Sequence, residues 1–579
     1  MADYALLHDP DRQRWLRFAR PLTVYAVHRL DQVMPTLHEI EARVARDGLH
    51  AVGLLSYEAA PAFDPALTTR PAGNFPLLHF GLFTAPEAVA LPPAVPAAMP
   101  DDWRPAFSPG AYARAVDQIR RAIAAGETYQ VNLTFPLHSR FPGDPRALFC
   151  RLVRGQRAAW AGYLEAGSWA VCSASPELFF RRDGQRLLMR PMKGTARRAP
   201  TQAADLAVAA GLTVSAKDRA ENLMILDMVR NDLGRIAAVG SVRVAELFAV
   251  EKYPTLWQMT STASAESTVS LAEIFAALFP CASITGAPKA RTMQLIAALE
   301  ERPRDIYTGS FGWLAPDGNA RFSVAIRTLL VDRQRQEATY GVGAGITWDS
   351  RSRSEYRECL AKGAILTRPQ PEFALLATLR WAPGHGYFLL ERHLDRLRAS
   401  ADYFERPWDE AAIRQHLRQL AEGFPGNLVQ RVRLLLGDDG RPHSEATPLA
   451  VSKRPAPLCA VLARGPVEHR DPFLYHKTTH RVIYEQSLAA AGDADEVLLW
   501  NAAGEATEFC TGNLVAELDG RLVTPPLASG LLAGVYRAEL LQRQVISEQK
   551  LPVDQLGRCR QLFLVNALRK WRRVALRDR

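Results

Sequence analysis

Cysteines are few in this sequence and none is placed to pair. The seven thiols, Cys150, Cys172, Cys281, Cys359, Cys459, Cys510 and Cys559, are widely separated and never spaced as CxxC. That pattern speaks against a disulfide framework and against a zinc site. Long apolar runs are missing as well: no stretch approaches the ~18 uninterrupted apolar residues of a membrane span. From Met1 to Arg20 the chain carries charges where a secretory signal would have its apolar core. A cytoplasmic protein without a membrane partner is expected. The net charge of +10 comes from scattered arginines, not from a basic stripe interleaved with aromatics, so nucleic acid is not an expected partner. Small anionic substrates account for the same excess. The dinucleotide fingerprint GxGxxG is absent even from the glycine-rich stretch 340–346.

What is present is an ordinary globular composition, 48% hydrophobic and 23% charged, over 579 residues. That is too long for one core, and at least two structural units are expected. Residues 1–105 read as short apolar runs broken by prolines, closing in an Ala/Pro-rich stretch at 91–105, and so as part of a β-rich domain. Helical periodicity through Tyr112, Val116, Ile119 and Ile123 stops at Gly126, after which 129–134 has strand character.

The spacing predicts a helix over 215–234, in which Asp218 and Glu221 are three apart and share a face. Glu355 and Glu358 repeat that spacing in a second predicted helix around 354–363. Two like-charged pairs, each mildly costly, make sense if they converge on a divalent cation such as Mg²⁺, whose shell is carboxylate oxygen, water and substrate. Two solvated helix faces are the bland alternative. Glycine-bearing loops at 283–289, 307–312 and 340–346 can each offer bare backbone N–H groups to a carboxylate. Arg327 can clamp a carboxylate bidentately, or simply make a surface ion pair. In Pro191-Met192-Lys193-Gly194-Thr195 the proline fixes the approach and the glycine permits a tight turn. Lys193 is therefore expected to project from a constrained loop, as a reactive amine or as part of a basic surface turn.

Taken together, Ser175-Pro176-Glu177, residues 191–195, Ala220-Glu221-Asn222, 283–289, 325–328, 341–345 and Glu355 to Glu358 resemble the chorismate-utilising enzymes, in family order and over nearly all of 105–365. The lysine of the PxKGT loop is similar to that of the aminodeoxychorismate synthase component I subfamily; anthranilate synthases have alanine there. The resemblance implies two packed β-sheets flanked by helices over 1–365, with a catalytic core at 106–365. It implies that Lys193 adds to ring C2 of chorismate while Glu177 protonates the departing 4-hydroxyl, ammonia then displacing the lysine. Glu221 and Glu358 would hold Mg²⁺ directly, and Asp218 and Glu355 through water. Thr285 and the backbone of Gly343, Ala344 and Gly345 would help with the ring carboxylate, and Arg327 and Tyr307 would take the enolpyruvyl carboxylate. Trp257 stands where many members have histidine and cannot do acid–base work. The motif 53–58 also resembles the family but lacks a clear tryptophan-binding signature. No glycine-flanked cysteine resembles the nucleophile of a glutamine amidotransferase, so ammonia is expected from a separate glutaminase chain.

A Pro-punctuated linker is read at 366–372, and a second domain at 373–579. Residues 390–397, 475–481, 504–514 and 524–535 together resemble the fold-type IV pyridoxal-phosphate (PLP) enzymes, an α/β fold, which include aminodeoxychorismate lyase and the branched-chain and D-amino-acid aminotransferases. On that resemblance Lys477 carries PLP covalently and Glu508 faces the pyridine nitrogen. Arg396 and the backbone at Gly534 and Val535 hold the phosphate, and Asn513 supports the cofactor loop. Tyr536 replaces a frequent threonine, and the late start makes the smaller subdomain look shortened. The resemblance also suggests a homodimer through this domain. The two halves combined imply an α+β bifunctional enzyme making 4-aminobenzoate for folate from chorismate. The alternatives are an anthranilate synthase-like domain fused to an aminotransferase, and a C-terminal domain serving assembly alone.

Overall fold

The computed structural model describes residues 4–92, 100, 102–367, 371–450 and 457–577. Residues 368–370 of the expected linker, and 93–99 and 101 of the Ala/Pro-rich stretch, lie outside the described residues. The chain divides into two compact units, one of residues 1–197 and 209–370, the other of 198–208 and 371–579.

The first unit holds two ten-stranded sheets. One runs through Gln130–Arg140, Glu337–Ile346, Thr328–Asp332, Trp169–Ser175, Trp160–Ala166 and Tyr4–Asp9. The other runs through Met192–Arg197, Leu256–Glu266, Leu178–Asp183, Ala320–Val324, Ser310–Leu314 and His50–Leu55. Leu7, Phe18 and Leu164 of the first meet Val52, Leu54 and Phe311 of the second in a shared core. Helices cover the outer faces, Pro109–Ala124, Pro145–Gln156 and Ser352–Thr367 on one and Ala216–Gly234 and Leu271–Leu278 on the other. Two packed sheets flanked by helices is the architecture expected.

Within 1–105 the expectation was incomplete. Leu30–Asp47 is an 18-residue helix burying Val33, Leu37, Ile40 and Val44, an i, i+4, i+7, i+11 stripe obscured in the sequence by Pro35. Nor does this region stand apart: Tyr4–Asp9 pairs with Trp160–Ala166, and His50–Leu55 with Ser310–Leu314.

The helix predicted at 215–234 forms as Ala216–Gly234, with the Ser215 side chain accepting from the Asp218 N–H as its cap. Glu355 and Glu358 lie in Ser352–Thr367. Lys193 is not in a loop. It lies in the strand Met192–Arg197, where the register against Leu256–Glu266 slips between Met192 and Thr195. Gly194, at φ +91°, makes that bulge possible.

In the second unit, a four-stranded sheet with the helices Leu390–Phe404 and Glu410–Glu422 encloses its own core. This smaller layer is therefore less reduced than the late start of the domain suggested. An eight-stranded mixed sheet carries Ala506–Phe509, Gly512–Leu518 and the parallel strands Leu458–Leu462 and Glu496–Trp500.

Candidate active sites

In the first unit the bulge turns the amine of Lys193 onto the glycine face of Glu337–Ile346. A Cβ on Gly345 would lie 2.9 Å from Lys193 Nζ, one on Gly343 2.7 Å from Thr134 Cγ2, and one on Gly341 2.0 Å from the ring of Tyr307. The alternating glycines thus let Tyr307, Thr134 and Lys193 pack directly against the backbone of this strand. Ala344, between them, packs into the core behind. The Asn222 amide donates to the Lys193 carbonyl at 3.1 Å and is itself held by the Ser261 hydroxyl. Gly194 has Asp218 Cβ 3.0 Å from where its own Cβ would be.

Burial lowers the Lys193 pKa, helped by the Lys362 charge, while Glu221, Glu177 and Glu358 oppose it. Glu177 is buried, its carboxylate accepting from the Ser283 hydroxyl at 2.6 Å. Burial raises it to about 7, so near neutrality it can carry a proton. A buried acid whose pKa is raised and a buried amine whose pKa is lowered, close enough to act on one another electrostatically, are suited to proton transfer and nucleophilic addition.

The acids expected at a metal are brought close to Lys193 from two helices, Glu221 from one and Glu358 from the other. Among the described residues no group of three His, Cys, Asp or Glu side chains is spaced to hold an ion. Glu358 instead pairs with Lys362 at 3.0 Å, and Lys362 also donates to the Gly343 carbonyl at 2.8 Å. Asp218 accepts from Ser215, and burial raises the Glu355 pKa. Mg²⁺ needs only one or two carboxylates beside water and substrate, and Glu221 and Glu358, both within electrostatic reach of Lys193, are the pair chemically suited to hold it.

Arg327, at φ +50°, donates to the Gln156 side-chain oxygen and lies over Tyr253. The Thr285 hydroxyl bonds the Cys281 and Ala282 carbonyls. Trp257 is buried, with Lys252 over its ring. Gln130 had no role in the sequence reading. It is buried beside Lys193, and neither amide atom has a hydrogen-bond partner among the described residues. No local pattern marks it; Lys362, at i+4 from Glu358, could have been found by spacing.

In the second unit a cavity of about 900 Å³ is lined by Lys477, Arg396, Glu508, Asn513, Gly534 and Val535, which the resemblance grouped at PLP, together with Arg481. Burial lowers Lys477 to about 7, with Arg481 and Arg396 adding to the effect. Glu508 is buried and accepts from Tyr484 Oη at 2.9 Å, the Leu532 N–H at 3.1 Å and Asn513 Nδ2 at 3.0 Å. Burial raises it to about 7. A Cβ on Gly534 would fall 1.9 Å from Asn513 Oδ1, so glycine is required where Asn513 braces the start of the helix Val535–Gln542. Arg396 reaches the neighbouring Ala533 carbonyl at 3.3 Å. A dehydrated amine, a carboxylate ringed by donors, and an arginine beside a helix N-terminus are the donor set PLP needs, so the residues fit it. Tyr536 turns toward Phe388.

Residues 86–368 match the family model of chorismate binding enzymes, and residues 374–576 that of the class IV amino-transferases. The two matches do not overlap and leave only residues 369–373 between them. Over 263 residues it is 39% identical to aminodeoxychorismate synthase component 1 of Escherichia coli, a match spanning 45% of this chain and 58% of that one. Over 265 residues it is 38% identical to anthranilate synthase component 1 of Thermus thermophilus, spanning 45% of this chain and 57% of that one. The chain thus spans little more than half the length of these curated relatives. The crystal structure of anthranilate synthase component I from Streptococcus pneumoniae shares the fold, with a TM-score of 0.53 at 21% identity over 64% of this chain and 92% of that one. No helix among the described residues is long and apolar enough to cross a membrane.

Proposed function

We propose that the chain makes 4-aminobenzoate, a folate precursor, from chorismate in two consecutive steps, with ammonia supplied by a separate glutamine amidotransferase. The second unit would also carry a homodimer contact. The observation that carries the reading is the amine of Lys193, dehydrated and laid against Gly345 with Glu177 nearby.

In the first step the groove floor Gly341–Gly345 receives the substrate ring. Arg327 and Tyr307 take the enolpyruvyl carboxylate, and Gly343, Gly345 and Thr285 take the ring carboxylate. Glu221 and Glu358, with Asp218 and Glu355 behind, would hold Mg²⁺, which would supply positive charge at that ring carboxylate. Neutral Lys193 Nζ bonds to C2 as Glu177 gives its proton to the leaving C4 hydroxyl, which departs as water. Ammonia then bonds to C4, the C2–N bond breaks, and Lys193 is regenerated. The unpartnered amide of Gln130 can hold the incoming nitrogen.

In the second step PLP supplies an electron sink. Glu508 would hold its ring nitrogen, and Arg396 with the Gly534 and Val535 N–H groups would hold its phosphate. Lys477 Nζ removes the C4 proton of aminodeoxychorismate, and aromatisation drives loss of the enolpyruvyl group as pyruvate.

The test is to supply the purified chain with chorismate, Mg²⁺, PLP and ammonium. Accumulation of 4-aminobenzoate and pyruvate is expected. The fluorescence spectrum of 2-aminobenzoate in its place, or no aromatic amine, overturns the proposal.

Two further outcomes follow from the groove. Gly345→Ala puts a methyl against Lys193 Nζ, and a displacement of ~1 Å costs about 10²-fold in rate. Amination of chorismate should fall by that order, while conversion of supplied aminodeoxychorismate is unchanged. The pH profile is set by opposite demands. Glu177 must be protonated, a form lost as pH rises through about 7. Lys193 must be neutral, a form lost as pH falls. Amination, expressed per free ammonia, should be bell-shaped, and Glu177→Gln should remove its alkaline limb at a cost of about 10²- to 10⁴-fold in rate.

A further inference from the structure

We infer, resting on the lyase reading of the second site, that Arg198 is a positioning residue of that site and acts through Tyr403 and His476 on the backbone carrying Lys477. Arg198 lies inside the 86–368 match to the chorismate binding enzymes, yet residues 198–208 belong to the second compact unit. The strand of Lys193 ends at Arg197, and the next side chain is buried. Its guanidinium pairs with Asp205 at 2.7 Å, the two side chains being 4% and 0% exposed. It donates to the Tyr403 carbonyl at 2.8 Å and lies 4.0 Å from the centre of the Tyr403 ring. Asp205 also accepts from the Ala199 N–H at 3.0 Å, which fixes the segment from which the arginine reaches.

Tyr403 is the penultimate residue of the helix Leu390–Phe404, so its carbonyl is among the last four, which have no helical N–H to accept from. A cation there complements the negative end of the helix. What the helix holds gives this cap its consequence. Arg396, Ser400 and Tyr403 follow one another along one face, and Arg396 is the phosphate arginine of the mechanism above. The other two hold His476: its Nδ1 meets the Ser400 hydroxyl at 2.9 Å, and its ring stacks on that of Tyr403 at 4.3 Å. The next residue is Lys477, whose amine loses about 10²-fold in rate for a displacement of ~1 Å. A buried ion pair is a weak source of stability; this one sets the end of the helix on which both Lys477 and Arg396 depend.

The experiment uses the PLP-loaded full chain. Arg198→Ala should lower kcat for supplied aminodeoxychorismate about ten- to a hundredfold per bound PLP, with KM little changed. In the same variant the pH midpoint of the visible band of lysine-bound PLP should move, a reading that needs no substrate. Tyr403→Leu should reproduce both effects, and the double variant should be no worse than either single one, because the two side chains act in sequence. Should Arg198→Ala not fold, with Asp205 left buried and unpaired, Arg198→Met combined with Asp205→Asn removes both charges together, and the same losses are expected. Amination of chorismate should hold its wild-type rate, since the strand of Lys193 has supports of its own: Gln258 Nε2 donates to the Gly194 carbonyl at 2.9 Å and Asn222 Nδ2 to that of Lys193 at 3.1 Å. Wild-type kcat per bound PLP with an unmoved band overturns the inference, whatever the thermal stability, and so does amination that falls in step with the lyase reaction. A wild-type chain that does not convert aminodeoxychorismate overturns the lyase reading instead, and the band then still decides the role of Arg198.

Discussion

Lys193→Ala is expected to lower formation of aminodeoxychorismate on the order of 10³-fold or more, the scale on which removing a covalent nucleophile acts. The neighbouring amine of Lys362 is not free to substitute. Lys362 is engaged with Glu358 and the Gly343 carbonyl. Chorismate consumption with saturating ammonium measures the loss. Conversion of aminodeoxychorismate added from outside should continue at the wild-type rate, which separates a lost nucleophile from a misfolded chain. Lys193→Arg should not rescue, because a guanidinium stays protonated at any working pH. Amination retained by Lys193→Ala within tenfold of wild type would remove the covalent mechanism.

Lys477→Ala should give the mirror image. Chorismate should be consumed and aminodeoxychorismate should accumulate, while 4-aminobenzoate formation should drop on the order of 10³-fold or more, since in the proposed mechanism this amine both holds the cofactor and moves the C4 proton. The visible band of lysine-bound PLP should vanish. Because burial brings Lys477 to about 7, the wild-type amine is half neutral near physiological pH and can act as a base there. Undiminished 4-aminobenzoate from the variant would assign the second unit to assembly, not catalysis.

These two lysines stood out in the sequence because each sits in a short contiguous motif with distinctive neighbours. Glu177, Glu221, Glu358 and Glu508 stood out for the same reason, and the structure buries Glu177 and Glu508. What the sequence concealed depends on contacts between distant segments. Gln130 lies beside Lys193 only because Gln130–Arg140 pairs with Glu337–Ile346, and Tyr484 reaches Glu508 across a fold that no local spacing encodes. The bulge at Lys193 was read as a loop because a glycine at positive φ serves both. The helix Leu30–Asp47 was missed because a proline within it outweighed a clear apolar stripe.

The strand His50–Leu55, set between Ser310–Leu314 and Leu78–Phe83, has a consequence for biosynthesis. It emerges from the ribosome early, but half of its hydrogen-bonding edge must wait for the partner strand to be translated. At about 5–20 residues per second that delay is on the order of ten seconds or more. Throughout it an apolar ribbon with one open edge is available to other nascent chains. Holdase chaperones should therefore engage the nascent chain until Ser310–Leu314 clears the exit tunnel, and a ribosome profile of chaperone occupancy should fall at that point.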